Sequence, residues 1–109
     1  RVPQNIAMEM ALTGDTITAE RAHQHGLVNV LCEPGDAINE AISLAERINS
    51  NAPLAVRATR KAVLEGAMVD DDEGIRIAVE LFTPVAKSED AKEGPLAFVE
   101  KRSPEWKAR

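Results

Sequence analysis

Only one stretch of this sequence has the character of a β-strand, and this limits the fold more than any other feature. Residues 27–32 (LVNVLC) form a short apolar, β-branched run that is typical of a buried strand. A strand needs a neighbouring strand for its backbone hydrogen bonds, and the sequence offers no second candidate. The run therefore either pairs with a strand outside this chain or is simply extended. The first alternative indicates a piece of a larger protein.

The remainder of the chain is predicted to be helical. Residues 4–12 form a short apolar helical run that should stop at Gly14, and Thr18 is a suitable N-cap for a second short helix that stops at Gly26. Asp36 is expected to cap the most clearly amphipathic helix. Its apolar residues recur at helical spacing: Ile38, Ala41, Ile42, Ala45 and Ile48.

Two longer helices are expected next. Pro53 suits the first position of a helix that runs to about Gly66. The acidic run 70–73 resembles a capping box that opens the following helix. Pro84 lacks a backbone N–H, so it should bend this helix or shorten its last turns.

The last part of the chain contains three further start and stop signals. Ser88 is expected to cap a turn, Gly94-Pro95 to restart a final helix, and Ser103-Pro104 to end it. The overall prediction is a single mainly α domain over residues 1–109, with one short strand at about 27–32.

Composition rules out several classes of partner. The 109 residues carry a net charge of −5, which argues against nucleic acid and anionic membrane as ligands. No apolar stretch approaches the length of a membrane-spanning helix. The single cysteine, Cys32, cannot form an internal disulfide, so a reducing compartment is expected. The start at Arg1, without Met, is expected to be a cut end.

Three sequence blocks, taken in order, resemble the C-terminal part of the crotonase (enoyl-CoA hydratase/isomerase) superfamily. The first consists of residues 7–15 (AMEMALTGD), 17–22 (ITAERA) and 26–29 (GLVN). The second is the amphipathic helix followed by Ala52-Pro53. The third combines residues 88–94 (SEDAKEG) with 97–102 (AFVEKR). The resemblance covers essentially the whole chain.

The resemblance implies a fold, a reaction class and an assembly. The chain would be the C-terminal helical segment of a crotonase-type α/β spiral fold, without the N-terminal catalytic spiral domain. Family members bind acyl-CoA thioesters, stabilise an enolate-like state with two backbone N–H groups, and use two glutamates as general acid and base in hydratases. No residues here resemble the Gly-rich glutamate motif or the Pro-Glu motif of that machinery. No catalytic residue is therefore assigned, and the isolated chain is expected to be inactive.

Two residues acquire a possible binding role from the resemblance. In the family, the last helices pack on neighbouring subunits of trimer-based homo-oligomers, and the terminal Ala-Phe-x-x-Lys segment can reach the CoA of an adjacent protomer. Phe98 and Lys101 occupy these positions, and their spacing of three would place them on one helical face. Phe98 could contact the adenine and Lys101 a phosphate. The alternatives are a core position for Phe98 and a solvated charge for Lys101.

Other reactive residues have structural interpretations. His23 and His25 are two apart and would face different directions on a helix, so no metal site is expected, and no tightly bound cofactor. Cys32 is expected to be a buried, inert thiol. The run 70–73 lacks the ligand pattern of a calcium loop. Glu9 is expected to be structural, and the basic group of Arg57, Arg60 and Lys61 to be a solvated face or an intersubunit salt bridge.

Two other functional classes remain open at this point. A self-associating helical module without catalytic activity would cover the apolar faces of the chain with a second copy. A helix-turn-helix DNA-binding unit would use residues 18–28, although the segment after Gly26 resembles a strand and carries no Lys or Arg. Acyl-chain preference and the choice between hydration and isomerisation depend on residues not found here. A bacterial cytoplasm, or alternatively a mitochondrial matrix, is the expected location.

Overall fold

The structure, a computed structural model, describes residues 2–109 and consists of helices joined by turns and irregular segments. The chain divides into two compact units, one ending at Ser43 and the other spanning Leu44–Arg109. The helices are α1 (Gln4–Thr13), α2 (Ala19–Gln24), α3 (Ala37–Asn49), α4 (Pro53–Gly66), α5 (Asp71–Ala86) and α6 (Asp90–Glu100).

The first unit is defined by α1 and α2, and both end where the sequence predicts. Gly14 terminates α1 with a left-handed backbone, φ 72°. The Thr18 hydroxyl caps α2 by accepting the Arg21 N–H at 3.2 Å. Gly26 also has φ 72°, and the Leu27 N–H donates to the Ala22 carbonyl at 2.8 Å, so α2 ends in a Schellman-type turn.

The strand expected over residues 27–32 is not formed, and the described part of the chain contains no strand at all. The apolar side chains of this segment are between 37 and 47% exposed: Leu27, Val28, Val30 and Leu31. The physical reason is that strand character requires a partner backbone, which neighbouring helices cannot provide. The β-branched composition alone therefore does not produce a strand here.

In the second unit, α4 and α5 pack against each other. Each helix contributes a glycine to the contact, and a β-carbon placed on Gly66 or Gly74 would lie 3.9 Å from the Cα atom of the other. Pro53 begins α4, as predicted, and the Asp70 carboxylate caps α5 by accepting the Glu73 N–H at 2.9 Å. Pro84 lies near the C-terminal end of α5, which stops at Ala86.

Helix α6 differs from the prediction because it runs without interruption through Gly94-Pro95. A proline ring normally disfavours helix at the preceding residue, partly through a clash with that residue's β-carbon. Gly94 has no β-carbon, so the helix can continue. It ends at Glu100, before the expected stop at Ser103-Pro104, because Lys101 adopts a left-handed backbone with φ 54°. The N-cap residue is Glu89, whose side chain makes no capping hydrogen bond, but the Ser88 hydroxyl accepts the Ala91 N–H at 3.2 Å in the first turn.

The apolar core of the described residues is small. The buried hydrophobic residues are Ile6, Ala22, Ala58 and Ala97. Many larger apolar side chains lie at the surface, among them Leu12, Ile38, Met68 and Val99, each more than 70% exposed. Among the described residues no helix is both long and apolar enough to cross a membrane.

Candidate functional site

The candidate site lies at the C-terminal end of α6, where Phe98 and Lys101 are found. The two residues do not share a helical face as predicted, because Lys101 follows the last residue of α6 and its backbone has the opposite hand. The phenyl ring of Phe98 is not a core group either, since this residue is 85% exposed. Both side chains are therefore accessible to solvent at the point where the chain reverses.

The reversal at Lys101 is a Schellman motif. The Lys101 N–H donates to the Phe98 carbonyl at 3.3 Å, and the Arg102 N–H donates to the Ala97 carbonyl at 3.1 Å. The left-handed position of this motif is usually occupied by glycine, because a β-carbon costs about 1–2 kcal/mol in this conformation. A lysine at this position is therefore less favourable for the backbone than a glycine would be.

After the reversal, residues 102–109, which we call the C-terminal strap, return to the N-terminal end of α6. There the Asp90 carboxylate binds the strap by accepting hydrogen bonds from the Lys107 N–H at 2.7 Å and the Ala108 N–H at 3.0 Å. Asp90 is only 3% exposed. Its charge is compatible with burial because both oxygens accept hydrogen bonds and because it lies at the positive end of a helix.

Glu93, one turn further along α6, holds the strap at a second point. Its carboxylate accepts two hydrogen bonds from the Arg102 guanidinium, at 2.5 and 3.0 Å, and a third from the Glu105 N–H at 2.7 Å. The hydrogen bonds from Arg102 and then from Glu105 lower the pKa of Glu93 from 4.5 to about 2. Arg102, which also pairs with Glu100 at 2.6 Å, has its pKa raised by these carboxylates.

The indole of Trp106 is the third anchor of the strap. Its Nε1–H donates to the Ser50 carbonyl at 2.8 Å, which joins the strap to the residue directly after α3. The ring also lies 3.4 Å from the point where a β-carbon on Gly94 would stand. The sequence analysis missed the roles of Asp90, Glu93 and Trp106. The sequence did contain a signal for these roles. Asp90 and Glu93 are three residues apart, which places both acids in the first turns of one helix, and the single tryptophan follows them.

A hollow of about 510 Å³ opens between α6 and the strap, and its walls are strongly charged. The lining residues are Glu89, Asp90, Lys92, Glu93, Leu96, Arg102, Glu105 and Lys107. Most of these charges are engaged: Glu89 pairs with Lys107 at 3.4 Å and with Arg109 at 3.1 Å, in addition to the bonds of Asp90 and Glu93. The hollow is therefore mainly the interface between α6 and the strap, and most of its charged groups are already paired.

The other reactive residues are dispersed. His23 places Nδ1 3.3 Å from the Val28 carbonyl, and within residues 2–109 no three His, Cys, Asp or Glu side chains are grouped as metal ligands. Cys32 is exposed, so the prediction of a buried thiol is wrong. The acidic run 70–73 caps α5, as expected. Lys61 makes a long 3.8 Å pair with Glu65 on the surface of α4.

Glu9 has the structural role predicted for it. Its two carboxylate oxygens accept hydrogen bonds from the Arg21 guanidinium at 2.9 and 2.8 Å, which connects α1 to α2. The hydrogen bonds from Arg21 lower the pKa of Glu9, as those from Arg76 lower the pKa of Glu73. Glu9, Glu73 and Glu93 are thus held in the charged form by arginines. A general acid needs the opposite shift, towards the working pH.

The described residues are thus mainly helical and carry exposed apolar side chains, with Phe98 and Lys101 exposed at the C-terminal end of α6. A helix-turn-helix unit is not present, because no helix follows Gly26 until α3 begins at Ala37. The family model for enoyl-CoA hydratase/isomerase matches residues 1–109, and the chain belongs to this family. Its helices correspond to the C-terminal helical part of the crotonase fold.

Individual relatives agree with this assignment. The chain is 38% identical over 109 residues to the enoyl-CoA hydratase EchA19 of Mycobacterium tuberculosis, and 42% identical over 106 residues to the (E)-benzylidenesuccinyl-CoA hydratase of Thauera aromatica. A crystal structure of an enoyl-CoA hydratase from Mycobacterium tuberculosis H37Rv is 50% identical, with a TM-score of 0.95 over the whole of this chain. These relatives are named as hydratases of CoA thioesters.

The chain corresponds to only part of each relative. It spans 41% of the length of both curated hydratases and 43% of the chain in the crystal structure. The likeness therefore describes one helical region of these enzymes.

Proposed function

We propose that this chain is the C-terminal helical part of an enoyl-CoA hydratase or isomerase, where it supports oligomerisation and completes the binding site for an acyl-CoA thioester. The observation that carries the proposal is the match of all 109 residues to the family, with 50% identity to a hydratase of known structure. The reaction itself would be performed by residues outside the matched region. The chain alone is proposed to be inactive.

The charge chemistry of three glutamates argues against a role for them as general acids. A general acid requires a pKa near the working pH. Glu9, Glu73 and Glu93 are instead tied to Arg21, Arg76 and Arg102, and the pKa of each is lowered. These three carboxyls are therefore assigned to structural ion pairs and not to the reaction.

The exposed apolar surface supports the proposed packing role. Helix α3 carries Ile38, Ile42 and Ile48 on one face, and these side chains are 73, 52 and 44% exposed. Large apolar side chains that are exposed along one helix face are typical of an interface. In a larger enzyme it would be covered by other parts of the same protein or by a second copy. A helical self-association module without catalysis is the second candidate, and the same surface favours it.

Phe98 and Lys101 are the proposed contacts to coenzyme A. An exposed aromatic ring can stack on an adenine, and an exposed ammonium can pair with a phosphate. Both groups belong to one turn of chain, the C-terminal end of α6. Acyl-CoA would be the substrate of the complete enzyme, and the proposed role is to complete its binding site without contributing to the reaction.

The test is a hydration assay with crotonyl-CoA, followed through loss of the ultraviolet absorbance of the conjugated thioester. The purified 109-residue chain is expected to give no rate above the enzyme-free blank, whereas the complete gene product that contains it is expected to be active. Turnover by the chain alone would contradict the proposed inactivity. Lack of any activity towards CoA thioesters in the complete gene product would favour the self-association module.

A second test addresses the proposed CoA contacts. Lys101→Ala in the complete gene product should raise the apparent KM for a CoA ester about fivefold, the factor that corresponds to one exposed ion pair. Lys61→Ala, which removes another exposed lysine of the second unit, is the matched control and should leave KM unchanged. Equal KM values for the Lys101 variant and the parent protein would remove Lys101 from the site.

A further inference from the structure

The backbone conformation of Lys101 is unusual for a residue with a β-carbon, and the C-terminal strap begins directly after it. Lys101 has a left-handed backbone, a conformation in which glycine would be the less costly residue. A costly conformation persists only where the surrounding structure determines it. The two Schellman hydrogen bonds are local to the turn, so further support has to come from the residues beyond it.

This support comes from two acids of α6. Glu93 binds Arg102, the residue directly after Lys101, and also the backbone of Glu105. Asp90 binds the backbone N–H groups of Lys107 and Ala108. The strap is thus attached to the side of the same helix whose C-terminus carries the turn. Movement of the turn would require breaking charge-assisted hydrogen bonds at both acids.

We propose that Asp90 and Glu93 are positioning residues that hold the C-terminal strap on α6 and so fix the direction in which Lys101 presents its ammonium group to the phosphates of a CoA ester. Neither acid contacts the ligand in this scheme. The inference rests on the proposed function, because it assumes that Lys101 contacts CoA. It adds that the affinity for CoA depends on a buried carboxylate placed at the opposite end of α6.

The burial of Asp90 distinguishes this arrangement from an ordinary helix cap. A first-turn acid usually accepts N–H groups from its own helix and remains in solvent. Asp90 is 3% exposed and its two oxygens are directed to residues 17 and 18 positions later in the chain. In the first turn of α6 the Ala91 N–H donates to the Ser88 hydroxyl instead. Asp90 is therefore available to hold the strap.

The first measurement follows the strap itself. Trp106 is the only tryptophan of the 109 residues, so its fluorescence and its quenching by acrylamide report whether the strap is attached. Asp90→Ala removes both acceptors and should increase quenching. Asp90→Asn keeps the size of the side chain and one oxygen acceptor, and should give an intermediate value. Asp72→Ala, which removes an exposed first-turn acid of α5, is the matched control and should match the parent chain.

The second measurement uses the complete gene product and a CoA ester. Asp90→Ala should raise the apparent KM about fivefold, as Lys101→Ala does, while kcat changes less than about twofold. The double variant should show little further increase, because Asp90 acts through Lys101. If Asp90→Ala does not fold, Asp90→Asn takes its place, with a smaller increase in KM and the same lack of additivity.

The outcomes separate this inference from the proposed function. If Lys101→Ala raises KM while the Asp90 variants release Trp106 and leave KM unchanged, the positioning role is wrong and the proposed CoA contact stands. Additive effects of the two substitutions would likewise overturn it. If Lys101→Ala leaves KM unchanged, the CoA contact and the positioning role both fail, whatever Trp106 reports. A fall in kcat alone would also overturn the positioning role.

Discussion

The indole ring of Trp106 lies against Gly94, with 3.4 Å between the ring and the point where a β-carbon on Gly94 would stand. This distance allows a methyl group in ordinary van der Waals contact. Gly94→Ala should nevertheless destabilise α6, by about 1 kcal/mol, because the new β-carbon would clash with the ring of Pro95 while residue 94 is helical. Thermal unfolding followed by circular dichroism would measure the loss. An unchanged or higher Tm would show that a β-carbon is tolerated before Pro95.

The ion pair between Glu93 and Arg102 should make the strap sensitive to acid. The pKa of Glu93 is about 2 in the folded chain, below its ordinary value of 4.5. A lowered pKa means that the stabilisation is complete above pH 4.5 and is lost as the pH falls towards 2. An acid titration of Trp106 fluorescence should show release of the strap in this range.

Glu93→Gln is the comparison for the acid titration. The amide retains an oxygen acceptor for the Glu105 N–H but has no charge to titrate. Its strap should be less firmly held at neutral pH, and the part of the acid transition that belongs to Glu93 should disappear. An identical transition in the parent chain and the variant would assign the acid sensitivity to other carboxyls.

Lys101→Gly separates the backbone role of this position from its charge. Glycine adopts the left-handed conformation readily, so the variant should be more stable than Lys101→Ala, by about 1 kcal/mol. Both variants lose the ammonium group and should show the same increase in KM for a CoA ester in the complete gene product. Chemical denaturation would give the stability difference. Equal stability of the two variants would mean that the reversal at residue 101 imposes no backbone cost.

The exposed face of α3 should control self-association of the isolated chain. Replacing Ile38 and Ile42 by Ser removes two large apolar groups that are 73 and 52% exposed. The parent chain is expected to self-associate in light scattering, and the double variant should shift towards the monomer. Glu40→Ser, on the opposite face of α3, is the control and should not change the mass. A monomeric parent chain would contradict the expectation.

Much of the helical architecture follows from residues that act locally. Thr18 and Asp70 cap their helices, Gly14 and Gly26 end theirs with left-handed backbones, and Pro53 begins α4. These residues determine their own conformation through a side-chain acceptor, a missing β-carbon or a fixed φ, and this physics does not depend on distant parts of the chain. The three sequence blocks likewise identified the family correctly.

Features that depend on distant partners were decided only by the tertiary structure. The run 27–32 has the composition of a strand, yet it has no strand beside it, and pairing cannot be read from one segment. The reversal at Lys101 was also missed, because a lysine there is unfavourable locally. It is held by Asp90 and Glu93, which bind backbone groups 12 to 18 residues away. The sequence by itself thus determined where α1 to α5 begin and where most of them end, whereas long-range hydrogen bonds decided the course of the strap and the position of the candidate site.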